Sequence, residues 1–101
     1  MLNEIQAWFL VKRLWENSNE FYYETGILYK GRECYGLCRT LSEIHNDKII
    51  SDNIVARMRR KLTSFAKRYD KFGYFWPKSK EGAVQRVKFC KNRIKQLRKV
   101  K

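Results

Sequence analysis

Residues 51–70, SDNIVARMRRKLTSFAKRYD, carry the clearest amphipathic pattern in this chain of 101 residues. Apolar side chains recur at helical spacing between residues 54 and 69, and basic side chains occupy the opposite face. Ser51 is a suitable N-cap, and Asp52 falls in the first turn, where the helix dipole favours an acidic side chain. The stretch therefore predicts a helix over residues 52–70 with one buried face and one basic face.

Three further segments have helical spacing, so the sequence predicts an all-α fold. One Pro and five Gly leave few interruptions in the chain. We expect a compact bundle of about four helices in a single domain over residues 1–101, with helices at about 3–18, 31–46, 52–70 and 79–98. Two alternatives stay open, a bundle of three helices and a small hairpin near residues 21–29. The first helix is apolar on more sides than a surface helix needs, so its excess belongs either to the core or to an interface.

The motifs that carry catalysis are missing. The sequence has no phosphate-binding Gly-x-x-x-x-Gly-Lys-Ser/Thr loop, no Gly-x-Gly-x-x-Gly and no evident pair of carboxylates. The single histidine, His45, lies at core spacing, and so do the thiols. We therefore expect no enzyme activity, no catalytic residues and no cofactor.

Three cysteines, Cys34, Cys38 and Cys90, lack the Cys-x-x-Cys spacing of a zinc site and are odd in number. We expect reduced thiols and no metal. The N-terminus lacks the basic segment of a signal peptide, and the longest apolar run, residues 7–11, is too short to span a bilayer. These features predict a soluble, intracellular protein with no membrane partner.

Almost all of the positive charge lies in the second half of the chain. Residues 1–50 hold six Lys/Arg and seven Asp/Glu, whereas residues 51–101 hold 17 Lys/Arg and three Asp/Glu. So one-sided a field predicts a polyanionic partner bound by the last two helices. The candidate binding residues are Arg57, Arg60, Lys61, Lys67, Arg68, Arg86, Arg93 and Lys95.

Charge alone leaves the class of partner open. The cations are suited to the phosphates of DNA or RNA, and equally to an acidic surface on another protein. The second and third helices also resemble a helix-turn-helix unit, with residues 51–70 as the recognition helix. The aromatic run at residues 21–23 either covers the edge of the core or forms a further interaction surface.

Several residues between about 36 and 97 form a further pattern: Gly36-Leu37-Cys38, Leu41, Ile49-Ile50, Tyr74-Phe75-Trp76-Pro77, Gly82, Arg86, Phe89 and Ile94. This pattern resembles one found in small uncharacterised bacteriophage proteins. The resemblance implies an accessory product made in the cytoplasm of the bacterial host. Many such products inhibit a host enzyme or a defence system such as CRISPR or restriction machinery by binding it.

We therefore expect a non-catalytic, phage-type inhibitor that binds a host or bacterial defence protein or nucleoprotein through a basic helical surface. The alternative is a DNA- or RNA-binding protein that contacts phosphates with the same face. The oligomeric state is not determined by the sequence.

Overall fold

Four α-helices and one short hairpin make up the part of the chain that the computed structural model describes, residues 1–17, 27–34, 37–70 and 80–99. In chain order the elements are α1 (Glu4–Glu16), β1 (Ile27–Tyr29), β2 (Arg32–Cys34), α2 (Leu37–Asn46), α3 (Asp52–Asp70) and α4 (Lys80–Lys99). The predicted all-α bundle of four helices is confirmed, with the hairpin added to it.

Helix α1 is part of the core. Asn3 caps it, because its side chain accepts a hydrogen bond from the Gln6 backbone at 2.8 Å while the Gln6 side chain accepts one from the Asn3 backbone at 2.9 Å. Trp8 and Trp15 are 0% and 1% exposed. The apolar excess of this helix therefore fills the bundle, and only Phe9 among its large apolar side chains is exposed.

The hairpin corrects the predicted start of the second helix. Lys30 and Gly31 both have positive φ, 51° and 80°, as a type I′ hairpin turn requires at its two central residues. The chain then folds back, and Cys34 pairs with Ile27 in antiparallel register. A helix beginning at residue 31 is therefore wrong. Helix α2 begins only at Leu37, because the three residues after the turn pair with β1.

The connection between α2 and α3 is short and tightly held. Lys48 adopts a left-handed conformation, with φ of 60°. His45 in the last turn of α2 lies 2.7 Å from the Asp52 carboxylate, measured from Nε2 to Oδ1. Helix α3 has the bounds that its amphipathic pattern predicts, and the structure packs it against α2.

Three helices meet at an aromatic cluster. The rings of Trp8 in α1 and Phe89 in α4 make an edge contact with centroids 5.7 Å apart, and Phe65 in α3 stacks on Phe89 at 4.3 Å. Along the rest of its length α4 packs on α1. Val84, near the start of α4, lies on the outer side of the helix and is 53% exposed.

Tyr29 connects the hairpin to the end of α2. Its hydroxyl donates a hydrogen bond to the Asp47 carboxylate, which also pairs with the Lys30 ammonium at 2.8 Å and with Arg32 Nη2 at 3.7 Å. Burial, together with the hydrogen bond and the charge of Asp47, raises the pKa of Tyr29 to about 12. Hydrogen bonds from Lys30 and Tyr29 lower the pKa of Asp47.

We expect Tyr29 to stabilise the fold only below its alkaline titration. Its pKa is higher in the folded state than the ordinary value of 10.0, so its contribution is complete below pH 10 and is lost as the pH rises towards 12. The measurement is the free energy of unfolding of wild type and Tyr29→Phe across this range. The difference between them should shrink only above pH 10, and a difference that stays constant to pH 12 would contradict this assignment.

Candidate functional site

Three of the predicted basic residues form one exposed row on α3. Arg57, Arg60 and Lys61 are all exposed, and spacings of three and four residues place their side chains next to one another on the helix. We call these three residues the α3 row. Lys67 and Arg68 belong to the same helix, but their side chains lie outside the described part of the chain, as do residues 21–23 and residues 72–77.

A second row of cations runs along the outer face of α4. Its members are all exposed, and we call them the α4 row: Lys88, Lys91, Lys95, Arg98 and Lys99. At about 1.5 Å per residue the row extends for roughly 16 Å. Sequence reasoning selected only Lys95 from it.

Glu4 connects both basic helices to the beginning of α1. Its Oε1 accepts a hydrogen bond from Arg57 Nε at 2.8 Å, and its Oε2 lies 3.7 Å from Arg93 Nη2. The indole of Trp8 donates to the same Oε2 at 3.3 Å. One carboxylate thus links α3 and α4 to α1, through a hydrogen bond with Arg57 and an ion pair with Arg93.

Arg93 is a packing residue rather than an exposed cation. Its side chain is 14% exposed, and its guanidinium carbon lies 5.9 Å from the Trp8 ring centroid. Nη1 donates to the Gln96 side chain at 2.6 Å. The prediction that Arg93 contributes to an exposed basic face is therefore wrong, because the aliphatic stem and the guanidinium pack between α4 and α1.

Arg86 was also predicted to lie on the basic binding surface, but the structure places it in the core. The residue is 0% exposed, and its guanidinium carbon lies 4.4 Å from the centroid of the Trp15 ring. Arginine stacks readily on an indole face, which explains why a basic residue is accommodated inside the bundle. Arg86 is therefore a core residue and is not accessible to a molecule that binds at the surface.

Basic side chains lie against the described carboxylates, whereas most exposed cations have no ion pair within the described residues. Each carboxylate whose side chain the structure describes lies against an Arg, Lys or His: Glu4, Glu16, Glu43, Asp47 and Asp52. Within the described residues, Arg57 is the one member of the two rows that has an ion pair. The remaining charged residues of both rows are exposed to solvent.

A groove between α1 and α4 brings an exposed aromatic ring next to the α4 row. Its volume is about 360 Å³, and its lining consists of Phe9, Lys12, Lys91, Ile94, Lys95, Arg98 and Lys99. Phe9 is 37% exposed. Lys12 Nζ lies 5.4 Å from the centroid of the Phe9 ring, and the Arg98 guanidinium carbon lies 5.3 Å from the same centroid. The groove therefore combines an apolar floor with a cationic rim.

The thiols have no reactive setting in the structure. Cys34 and Cys90 are buried, whereas Cys38 is exposed on α2. Burial raises the pKa of Cys90 to about 12 and also raises that of Cys34. Partial desolvation by neighbouring groups raises the pKa of Cys38 at the surface, so all three thiols favour the neutral, poorly nucleophilic form. Among the described side chains, no three His, Cys, Asp or Glu residues lie close enough together to hold a metal ion.

Sequence reasoning missed most of the groove. The spacing of Lys91, Lys95 and Arg98 was available as a signal, since these residues share one helical face. Phe9 gave no such signal, because its exposure depends on how α1 turns against α4.

No family model, curated protein or solved structure matches this chain. No helix in the described part combines the length and the apolar character of a membrane span. The chemistry of the surface is therefore the basis for a proposed function.

Proposed function

We propose that this protein is a non-catalytic binding protein that holds nucleic acid by its phosphates with the α3 and α4 rows. The observation that carries this proposal is the distribution of charge. The described carboxylates already lie against basic side chains, whereas Arg60, Lys61 and the whole α4 row have no ion pair within the described residues. Such cations gain most from phosphates, because binding releases the counterions condensed on the nucleic acid.

The composition of the surface favours nucleic acid over an acidic protein. Four of the five residues in the α4 row are lysines, and lysine is depleted in protein–protein interfaces. The large exposed apolar side chains in the described part are Met1, Phe9 and Val84, few for the apolar centre of a protein interface. Interfaces with nucleic acid are more polar and more positively charged.

A second candidate is a phage-type inhibitor that acts in the cytoplasm of a bacterial host by binding a defence protein or nucleoprotein. Val84 supports it, because a valine that is 53% exposed beside Lys88 supplies an apolar contact next to a cation. An acidic protein groove that normally holds nucleic acid would be complementary to the same surface.

The test removes two charges from the α3 row. We expect Arg60→Gln combined with Lys61→Gln to weaken binding on the order of 50-fold at about 0.1 M salt, since each phosphate contact contributes a similar factor. Binding is measured by fluorescence anisotropy with DNA and RNA, both single-stranded and duplex.

A matched control removes two charges elsewhere. Arg13 and Lys48 are exposed, form no ion pair in the described part and lie outside both rows. Arg13→Gln combined with Lys48→Asn should retain nearly full affinity, and Asn tolerates the left-handed backbone at position 48. Equal losses in the two variants would refute a localised site. A one-to-one complex with a bacterial protein that survives nuclease and is lost in the α3 variant would support the second candidate instead.

A further inference from the structure

In the groove between α1 and α4, an exposed aromatic ring lies next to α4 cations that have no ion pair within the described residues. Phe9 is 37% exposed at the floor of the groove, although exposure of an apolar ring to water is unfavourable. Lys91, Lys95 and Arg98 line one side of the groove over two turns of α4. An occupant therefore has to supply a flat or apolar group for the ring and negative charge for the rim.

We propose that this groove binds single-stranded nucleic acid, with an unpaired base against Phe9 and the flanking phosphates on Lys91, Lys95 and Arg98. The inference rests on the proposed function and deepens it by naming the form of nucleic acid. Bases within a duplex are stacked on one another and cannot reach a ring at the floor of a groove, whereas the bases of a single strand can.

The surroundings of Phe9 favour a base over a side chain of an acidic peptide. The Arg98 guanidinium carbon lies 5.3 Å from the ring centroid and Lys12 Nζ lies 5.4 Å from it. Both the ring and the guanidinium stack on the π-face that every base has. A peptide carboxylate would match the cations but has no π-face to stack on the ring or on the guanidinium.

The cations of the groove are arranged for a single nucleic-acid strand that lies along α4. Lys91, Lys95 and Arg98 are separated by four and three residues, so their side chains form a line along the helix. From residue 91 to residue 98 this line extends for about 10 Å. Lys12 on the opposite wall is held by Glu16 at 3.0 Å, which leaves the α4 side as the more strongly charged wall.

The experiment compares Phe9→Ala with wild type on a single strand of about 20 nucleotides, longer than common single-strand site sizes, and on its duplex. Loss of one base–aromatic stack should weaken single-strand binding by between about 5-fold and 150-fold, with no change for the duplex. The duplex measured with the same variant is an internal control, because a damaged fold would weaken both.

Two further variants complete the comparison. Phe9→Tyr retains the ring and should bind the single strand as wild type does. Val84→Ala shortens an exposed apolar side chain of α4 that does not line the groove. This variant should change neither the affinity for the single strand nor the affinity for the duplex. DNA and RNA strands of one sequence are both measured, and a difference between them identifies which nucleic acid the groove accepts.

The outcomes separate this inference from the proposed function. Equal binding of single strand and duplex by wild type, or an unchanged single-strand affinity in Phe9→Ala, overturns the role of the groove while the α3 variant can still confirm nucleic-acid binding. No measurable binding of any nucleic acid by wild type overturns both.

Discussion

Replacing Arg86 with alanine is expected to lower the free energy of unfolding by roughly 3–5 kcal/mol, because the change opens a cavity and removes a desolvated contact with an aromatic ring. Arg86 is 0% exposed, and its guanidinium carbon lies 4.4 Å from the Trp15 ring centroid. For a domain of this size the melting temperature should fall by more than about 12 °C. The measurements are urea unfolding and thermal unfolding followed by circular dichroism.

The lower stability of Arg86→Ala should not be accompanied by weaker binding of nucleic acid. At a temperature where Arg86→Ala is folded, its affinity for nucleic acid should equal that of wild type, since a buried guanidinium contacts no phosphate. The matched control is Lys88→Ala on the exposed face of the same helix. It should leave stability within about 0.5 kcal/mol of wild type and weaken binding. A reversed result, with Arg86→Ala as stable as wild type and deficient in binding, would return Arg86 to the binding surface.

Raising the salt concentration from about 50 to 200 mM is expected to weaken binding of wild type to nucleic acid on the order of 10³-fold, if about six phosphates are neutralised. The two rows and Arg59 supply enough exposed cations for that number. The slope of the logarithm of affinity against the logarithm of salt concentration should be smaller for single strands than for duplex DNA, because single strands condense fewer counterions.

The α3 variant makes the salt experiment specific. Arg60→Gln combined with Lys61→Gln should reduce the slope by about two, one for each cation removed. The variant with Arg13→Gln and Lys48→Asn should retain the wild-type slope. A loss of less than about tenfold across the salt range would mean that few phosphates are contacted, and it would contradict binding by the two rows.

Helix α3 illustrates how much of the fold was predictable. Its apolar spacing and the Ser51–Asp52 start define the element at both ends, and the structure has the same bounds. The second helix was less predictable, because Arg32–Cys34 can continue a helical stripe as well as a strand. The turn at Lys30 and Gly31 decided between them, since positive φ at both residues reverses the chain before a helix can form.

The candidate surface was less predictable than the helices. Helical spacing places Arg60 and Lys61 opposite the apolar stripe, and both are exposed. The same reasoning failed for Arg86 and Arg93, which pack on the rings of Trp15 and Trp8. A hydropathy pattern counts every arginine as polar, whereas the guanidinium face and its aliphatic stem can be buried against an indole.

The sequence by itself determined the class of fold and the half of the chain that carries the charge, because periodicity and composition are local properties. Only the tertiary structure decided which cations are exposed and without ion pairs. That outcome depends on contacts between residues far apart in the chain, such as Glu4 with Arg57 and Phe9 with Arg98. The position of a carboxylate or a ring relative to a distant helix follows from packing, which no local pattern encodes.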